Sequence, residues 1–572
     1  MTASPAHTAA PRHVPAPTVD SRARRVLRTA ERAAWPAFCL LMGVWAIGYI
    51  TWPFSSDQGV LSWVGRVMAE GGYPYRDAWE IRGPFPFFVY AGIASLFGPA
   101  QWPLRVVDLL IIGGGAWSVA RIANQFAGRA AAHGAVALYL LWYASLGHHD
   151  TAQSDGWNAA MIAGVVAAML ARDGLPTVRH AVIAGALLGF SILSKPPYAV
   201  FLMLPAIVGI AQVGRRGGAW LTRFWASGTI ALVLSAGSIV LWLYRGNALA
   251  PFIDIHLRWL LTRYTDVETG WLNRAQMAAI FLASDIFATA IAPAAVGVFV
   301  AWRKHSYAAP LFVAWVAGAV LTVMAQGNFY PYHWHPVYPA LATLAGIGIA
   351  AIVTSARESP VALPRVIGVA VAAVAFSAAA LRPLVHVYRS SFLAVGLLSR
   401  ERFEAAEFGP YGETGLFARL TKYVRAHTAA NETFLIWGSV PGIYYESERR
   451  APTRFGYVAP LVNAQDDEFR RRYRREFLDR LAAAPPSYVA TLAPSVCARA
   501  RTVEERRLIG RVEERMKCVF EFPELGRFVD RYYAADTSIG PIAIYRRRAA
   551  VDPGNAGTAS VSPPTSEPPA AR

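Results

Sequence analysis

Asp57 is the first side chain in the sequence whose position suggests chemistry. It follows Ser55 and Ser56 at the end of the first apolar block, where lipid and protein would partly desolvate a carboxylate. Desolvation raises the pKa of a carboxyl group, so Asp57 could act as a general base toward an acceptor hydroxyl or amine. An Asp that precedes an amphipathic stretch also caps the first free N–H groups of a helix. From spacing alone, the cap is the simpler interpretation.

A second polar cluster lies between two later apolar blocks, over residues 147–156. His149, Asp150 and Asp155 in this loop are candidate ligands for a divalent cation, because imidazole and carboxylate groups bind such ions. Their spacing matches no fixed ligand pattern, and Asp155 could instead cap the helix that follows. The sequence therefore leaves a metal open and implies no certain cofactor.

If the apolar blocks cross a membrane, several arginine and lysine residues fall on its extracytoplasmic side. The orientation rule for membrane proteins predicts few positive charges there. Arginine and lysine at a membrane interface neutralise phosphate oxygens, and arginine does so with paired hydrogen bonds. A lipid phosphate or pyrophosphate is the natural partner, whereas ordinary headgroup contact is the alternative for any single residue. The residues on this side are Arg76, Arg82, Arg105, Lys195, Arg245, Arg258, Arg263 and Arg274.

The segment 328–339 opens a late apolar block and is rich in aromatic residues, as expected for the interfacial belt of a membrane protein. It also contains Tyr332, His333 and His335. Histidines at this depth are not part of the belt pattern, and they could donate hydrogen bonds to phosphate or sugar.

These residues must be positioned by membrane helices. The chain has 55% hydrophobic and only 16% charged residues, and its apolar residues fall in unbroken blocks rather than in the alternating pattern of a membrane strand. The net charge is +18, and the Lys and Arg residues that carry it lie mostly between these blocks. Basic residues there orient a membrane protein, so this charge does not indicate nucleic-acid binding.

About eleven blocks are long enough to cross a membrane. The segment 84–98 is shorter and opens with prolines, and only if it does not cross do the basic connectors fall on the cytoplasmic side. We therefore expect it to be re-entrant, with the N-terminus inside and the C-terminus outside. The amphipathic stretch 57–70 suits a helix on the membrane surface. The predicted spans are 34–53, 105–123, 129–146, 156–171, 181–194, 197–213, 224–243, 277–301, 308–325, 336–354 and 364–381.

Four regions are predicted: a disordered cytoplasmic tail (1–33), a transmembrane domain (34–382), an extracytoplasmic α/β domain (383–548) and a disordered tail (549–572). Strand-like runs at Thr433–Trp437, Tyr488–Leu492 and Ile542–Tyr545, together with a charged helical stretch, indicate the α/β domain. Cys497 and Cys518 in this region could form a disulfide outside the cell or remain two buried thiols.

The order of these elements resembles that of the polytopic glycosyltransferases of the GT-C fold, in particular bacterial relatives of protein mannosyltransferase and of lipid A aminoarabinose transferase. The family usually has Lys-Pro-Pro where this chain has Arg82-Gly83-Pro84. The matching segments are Asp57, Gly72 to Asp77, Arg82 to Pro84, Phe97-Gly98 with Arg105, Ser194-Lys195-Pro196, His333-Trp334 before Pro339, and Trp437 to Tyr444 with Arg454-Phe455.

The resemblance implies a helical GT-C membrane domain in a bacterial cytoplasmic membrane and an inverting transfer from a polyprenyl-phosphate-linked sugar to an envelope glycan, lipid or protein. Asp57 would be the catalytic base. The outer-face cations would stabilise the leaving lipid phosphate. The implied substrate-binding residues are Arg76, Arg82, Arg105, Asp150, Asp155, Lys195, Arg258, Arg263, Tyr332, His333 and His335.

Two other classes of function are open from the sequence. A transporter or flippase for a lipid-linked substrate would place ionisable residues at midspan and show repeated halves, and no repeat is evident here. A non-catalytic membrane scaffold that displays its C-terminal domain would not depend on Asp57.

Overall fold

The computed structural model describes residues 21–170, 176–264, 270–283, 285–359, 361–412, 415–462, 468–497, 512, 515–519 and 522–548. The predicted tails lie largely outside these residues. Within them, the first helix begins at Ser21, which places residues 21–33 in a helix rather than in the predicted tail.

Helices dominate the described residues before 400. They are α1 (Ser21–Ile50), α2 (Ser56–Ala69), α3 (Phe85–Phe97), α4 (Trp102–Ala144), α5 (Ser154–Met169), α6 (Val178–Ser194), α7 (Met203–Arg245), α8 (Leu249–Ile253), α9 (Trp271–Ala283), α10 (Asp285–Lys304), α11 (Ala308–Gln326), α12 (Val337–Glu358) and α13 (Ala362–Ala394). Short 3₁₀ turns lie at Pro196–Leu202 and Pro331–Trp334, and a π-helix lies at Asp254–Tyr264.

Six described helices are long and apolar enough to cross a membrane. Two predicted pairs of spans appear as one long helix each. Helix α4 is broken at Gly128 (φ 75°) and α7 at Gly217 (φ 74°), and glycine adopts such a left-handed conformation without steric cost. Further apolar helices are shorter, so the total of about eleven spans stays a prediction.

The predicted span 277–301 is not one helix. Helix α9 and the segment Phe287–Lys304 of α10 meet at 92°. A continuous apolar sequence specifies that residues are buried in lipid, but it does not specify that they form one straight rod.

Helix α3 has 13 residues and is therefore about 20 Å long, too short to cross the hydrocarbon core. Helix α2 packs on α3, and a Cβ on Gly65 would meet Tyr90. It also packs on the C-terminal domain, where Gly59 faces Gly442 and Trp63 faces Gly456. The apolar residues of α2 are thus buried between two protein layers, and its position at the membrane surface stays a prediction.

The centre of the membrane part is α12, which packs against α4 and α10. Small residues allow these backbones to approach closely. A Cβ on Gly346 would meet Ala135 of α4, and one on Gly348 would meet Pro293 of α10. This bundle fixes the ends of the helices from which the polar loops extend.

The C-terminal domain begins after α13, which continues past the predicted boundary at residue 383. Its four-stranded sheet has the order β1-β2-β4-β3, with β1 parallel to β2 and the other neighbours antiparallel. The elements are α14 (Arg400–Glu407), α15 (Leu416–His427), β1 (Phe434–Ile436), α16 (Gly442–Ser447), α17 (Ala459–Val462), α18 (Glu468–Ala483), β2 (Tyr488–Leu492), α19 (Pro494–Cys497), α20 (Pro523–Tyr532), β3 (Tyr533–Ile539) and β4 (Ile542–Arg547), with a 3₁₀ turn at Gly409–Tyr411.

The three predicted strand runs correspond to β1, β2 and β4. The sequence did not reveal β3, because this strand is mostly exposed and polar and so lacks an apolar pattern. Cys497 and Cys518 form a disulfide, which resolves the two alternatives for this pair.

Candidate functional site

Asp57 lies in the first turn of α2 but does not cap it. Ser55 is the N-cap residue, and its N–H donates to Gln58 Oε1 at 2.8 Å. The Gln58 amide in turn donates to the carbonyls of His148 and Thr151, which fixes α2 against the loop before α5. The cap interpretation of Asp57 is therefore wrong, and its carboxylate is directed to another partner.

That partner is Arg82. Its Nη2 lies 2.9 Å from Asp57 Oδ1, and its Nη1 lies 2.9 Å from Glu80 Oε1. The Glu80 side chain is fully buried and also accepts from the Tyr457 hydroxyl of the C-terminal domain at 3.0 Å. One guanidinium is thus shared between two carboxylates. Of the two, only Asp57 is accessible, with 29% of its side chain exposed.

The direction of the pKa shift of Asp57 differs from the sequence-based prediction. Burial alone would raise this pKa, but the positive charge of Arg82, with further contributions from Arg515 and His149, holds it below its ordinary value. Asp57 is therefore ionised, and its basicity is restrained by Arg82.

The backbone around Arg82 explains the glycine that replaces the first proline of the family pattern. Gly83 N–H donates to the Ser194 carbonyl at 3.2 Å, and a Cβ on Gly83 would collide with the carbonyl of Leu193. The Tyr75 hydroxyl donates to the carbonyl of Arg82 at 2.8 Å. Close approach of this loop to the end of α6 sets Arg82 beside Lys195.

Lys195 and Asp155 form a second ion pair, with Nζ 2.5 Å from Oδ2. Asp155 is fully buried and also accepts from the Tyr198 hydroxyl at 3.2 Å, while Lys195 donates to Gln326 at 2.7 Å. The ammonium lies 5.6 Å from the centre of the Tyr332 ring. The charge of Lys195 is influenced by both Arg82 and Asp57, so the two ion pairs form one electrostatic cluster.

Asp150 borders the same cluster. Burial and the neighbouring charge of Asp57 raise its pKa to about 6, while a hydrogen bond from the Tyr332 backbone lowers it. Gln153 bridges the loop to α2, donating to the carbonyl of His149 at 2.8 Å and to Asp57 Oδ2 at 3.4 Å.

Both predicted histidines are buried here. Burial lowers the pKa of His333 to about 3 and that of His335 to about 4, so both are neutral. His335 contacts the Asp150 carbonyl at 2.9 Å, and a Cβ on Gly156 would collide with its ring. His333 feels the charges of both ion pairs, and its Nδ1 has no hydrogen-bond partner among the described residues.

Arg105 is predicted to bind substrate, but its contacts in the structure are with other groups of the protein. It is fully buried, and its N–H groups donate to the carbonyls of Trp52 and Pro53 and to side-chain oxygens of Tyr49, Thr151 and Gln58. Because these acceptors engage the N–H groups of Arg105, this residue connects the end of α1 with the start of α2.

Asp108, one turn after Arg105, is a residue that the sequence analysis missed. It accepts hydrogen bonds from Tyr49 at 2.7 Å, Tyr143 at 2.6 Å and Trp157 at 2.8 Å. Tyr143 also accepts from the backbone of Ala152. The network therefore positions the loop that carries Asp150, and an acidic residue within a predicted span was the signal that could have revealed it.

Two of the predicted cations, Arg76 and Arg258, have described contacts with other groups. Arg76 pairs with Asp77 at 2.6 Å and donates to the Gly246 carbonyl. Arg258 is 70% exposed and lies 3.9 Å from Asp254. The side chain of Arg263 lies outside the described residues.

The predicted metal candidates are not gathered into one set. Asp155 is paired with Lys195, while Asp150 lies toward Asp57. Among the residues that the structure describes, no group of three or more His, Cys, Asp or Glu side chains is arranged to hold a metal ion.

This arrangement, a bundle of membrane helices with a C-terminal α/β domain over an acidic and basic loop cluster, is the GT-C fold of polytopic membrane glycosyltransferases. The predicted fold class is confirmed. Residues 82–242, which include Arg82, Asp155 and Lys195, match the sequence family described as dolichyl-phosphate-mannose-protein mannosyltransferase.

Among solved structures, the chain is similar to ArnT from Cupriavidus metallidurans bound to undecaprenyl phosphate, with a TM-score of 0.55 and 17% identity over 91% of this chain and 99% of that one. The apo state of the same protein gives 0.54 and 16%, over 91% and 98%. The oligosaccharyltransferase of Archaeoglobus fulgidus gives 0.48 and 11%, over 92% and 75%. No curated protein sequence matches the chain.

Proposed function

We propose that this protein is an inverting membrane glycosyltransferase that moves a sugar from a polyprenyl-phosphate donor to an extracytoplasmic acceptor, with Asp57 as the general base. The observation that carries the proposal is the ion pair between the partly open Asp57 carboxylate and Arg82. A base and a phosphate-binding cation are the two groups that such a transfer needs side by side.

A lipid-phosphate donor is supported by the chemistry of the cluster. Arg82 and Lys195 provide two cations at one site, and a guanidinium matches the oxygens of a phosphate. ArnT, which shares the fold, binds undecaprenyl phosphate. We propose that this protein uses the same class of carrier, which bears a hexose or a pentose.

In the proposed step, the acceptor oxygen or nitrogen attacks the anomeric carbon while Asp57 takes its proton. The bond between this carbon and the phosphate oxygen breaks, and its electron pair leaves with the lipid phosphate. Arg82 and Lys195 stabilise the negative charge that develops on that oxygen. Attack opposite to the leaving group inverts the anomeric centre.

Because Arg82 is paired with Asp57, binding of the donor to Arg82 would control when Asp57 becomes a strong base. A donor phosphate would compete with Asp57 for Arg82, and a weaker ion pair removes the main cause of the lowered pKa. Burial would then raise the pKa of Asp57 and make it a stronger base when the donor is bound. Glu80 keeps Arg82 in place during this exchange, because the Glu80 carboxylate that holds the guanidinium is fully buried.

We further propose that the cluster and the C-terminal domain face the extracytoplasmic side of a bacterial cytoplasmic membrane, with the N-terminus in the cytoplasm. The disulfide between Cys497 and Cys518 supports this orientation, because disulfides persist mainly in oxidising compartments.

The test is transfer by the purified full-length protein and by Asp57→Asn, with a panel of polyprenyl-phosphate sugars and envelope extracts as acceptor. We expect wild-type turnover and a loss of at least about a thousandfold in the variant, with undecaprenyl-phosphate affinity retained, because the base is removed without removal of Arg82 or Lys195. Equal turnover would contradict the base role. Donor binding without turnover by any sugar would favour the transporter or scaffold.

A further inference from the structure

A groove lies at the end of the membrane bundle opposite to Asp57. It has a volume of about 500 Å³ and is formed by α1 and by the two halves of α4 on either side of Gly128. These halves run side by side, since a Cβ on Gly115 would meet the Tyr139 hydroxyl. At about 1.5 Å per residue, Trp35 in this groove lies about 22 Å before the end of α1, from which the chain enters the Asp57 loop.

The part of the groove that is farther from the turn at Gly128 is apolar. Ala116 and Ala120 of the first half of α4 line it together with Val136 of the second half, and such small side chains leave room between helices. Trp117 borders them and is 62% exposed. Small aliphatic side chains beside an exposed aromatic ring suit a lipid chain.

Two arginines line the groove nearer to the turn. The guanidinium of Arg121 lies 5.6 Å from the centre of the Trp117 ring, and Arg129 follows the turn directly. Lys304 of α10 adds a third cation at this end of the bundle and donates to the carbonyl of Gln125. No acidic side chain is among the described residues that line the groove. Its positive charge is therefore complementary to an anion.

Neutral hydrogen-bonding groups complete the basic end. The ring of His133 stacks on that of Trp35, with 4.1 Å between their centres, and so connects α4 with α1. Asn124 contributes an amide one turn before Gly128. Arginine binds phosphate oxygens with paired hydrogen bonds, and amide and imidazole N–H groups bind ester oxygens or hydroxyls next to them.

We propose that this groove binds an anionic phospholipid, with its phosphodiester at Arg121 and Arg129 and an acyl chain along Ala116, Ala120 and Val136. A phospholipid matches the groove because its charged and apolar parts follow one another in the same order as those of the lining. Basic pockets between membrane helices bind such headgroups. A zwitterionic lipid would bring its own ammonium group toward two guanidinium groups, which repel it.

The lipid would hold α1 against both halves of α4. In the proposed orientation of the protein it belongs to the cytoplasmic leaflet. The inference does not depend on a transferase activity, because the groove and Asp57 lie at opposite ends of α1.

The experiment measures lipid retention by native mass spectrometry of the full-length protein, released from nanodiscs that contain equal amounts of phosphatidylglycerol and phosphatidylethanolamine with the same chains. The variants are the double change Arg121→Gln, Arg129→Gln and the charge-preserving Arg121→Lys, Arg129→Lys. Arg216→Gln is the matched control. The Arg216 guanidinium also lies 5.6 Å from a tryptophan ring, that of Trp220, beside the break at Gly217 of α7, but it does not line this groove.

We expect phosphatidylglycerol to be retained about tenfold more than phosphatidylethanolamine, and Arg121→Gln, Arg129→Gln to remove this preference. The lysine double variant and Arg216→Gln should keep the preference within about threefold. Ala120→Phe fills the groove without a change of charge and should lower phosphatidylglycerol retention about tenfold. Added phosphatidylglycerol should raise the Tm in detergent by about 3 °C, whereas glycerol 1-phosphate should leave it unchanged.

Equal retention of the two lipids by the wild-type protein would overturn the inference. An equal loss in Arg216→Gln and in the glutamine double variant would also overturn it, because retention would then follow the net charge of this face. A rise in Tm with glycerol 1-phosphate alone would assign the groove to a soluble phosphate instead. If the glutamine double variant does not fold, Ala120→Phe decides, and unchanged phosphatidylglycerol retention by this variant overturns the inference.

Discussion

The guanidinium of Arg82 lies 2.9 Å from the carboxylate of Asp57, across 25 residues of sequence, and this contact sets the electrostatics of the site. It lowers the pKa of the proposed base, whereas burial would raise it. The same guanidinium is proposed to receive the donor phosphate. Several measurements can separate these two roles.

Arg82→Gln should shift the pH dependence of transfer. Asp57 must be ionised to accept a proton, so activity falls as the pH drops through its pKa. Without Arg82, burial raises that pKa, and the acidic limb of kcat/KM should move to higher pH, with a loss of about a hundredfold at neutral pH. Arg76→Gln is the matched control, since Arg76 is bound to Asp77. An unchanged acidic limb in Arg82→Gln would contradict Asp57 as the base.

Asp150→Asn should remove an ionisation near pH 6. The pKa of Asp150 is about 6, and its negative charge above that pH makes the nearby Asp57 a stronger base. We expect wild-type kcat/KM to rise through pH 6 and the variant to lack this step. The amide can still accept the hydrogen bond from the Tyr332 backbone, so the loop should keep its place. A step near pH 6 that persists in the variant would assign it to another group.

Gly83→Ala should disturb Arg82 without touching its side chain. The new Cβ would collide with the Leu193 carbonyl, so the loop must move away from the end of α6. Transfer should fall at least about tenfold, because displacement of a binding group by about 1 Å has large effects on rate. Gly113→Ala is the control, since a Cβ there meets nothing within 4 Å. Equal activity of the two variants would show that the loop tolerates the displacement.

Lys195→Met should destabilise the protein more than the double variant Asp155→Asn, Lys195→Met. The single change leaves a fully buried carboxylate without its cation, at a cost of about 3 kcal/mol, although Tyr198 still donates to it. The double change removes both charges. Thermal unfolding in detergent gives the order of Tm values, and a single variant as stable as wild type would mean that Asp155 is neutral in the folded protein.

Arg105→Lys tests whether this residue is structural. A lysine cannot reach all the acceptors that Arg105 satisfies, and the unpaired carbonyls of Trp52 and Pro53 should lower the free energy of unfolding by about 2 kcal/mol. Undecaprenyl-phosphate affinity per folded molecule should stay at the wild-type value, in contrast to Arg82→Gln. A specific loss of donor affinity with unchanged Tm would return Arg105 to the binding site.

The amino-acid sequence was enough to predict a mostly helical membrane protein, the buried strands of the C-terminal domain and the order of Asp57, Arg82, Asp155 and Lys195 along the chain. These features are local: apolar length and periodicity follow from the requirement to bury side chains and satisfy backbone groups within one segment. The GT-C resemblance could be drawn for the same reason, since short motifs keep their order even where their spacing is degenerate.

The pairing of each cation with its anion depends on how the folded chain packs. Arg82 binds Asp57 and Glu80. The sequence predicts Arg105 on the same side of the membrane, but the Arg105 guanidinium donates to backbone carbonyls. Packing also places α2 against the C-terminal domain. The physical reason is that an ion pair depends on distance and burial after the chain has packed, and neither quantity is encoded in the type or spacing of the residues that form it.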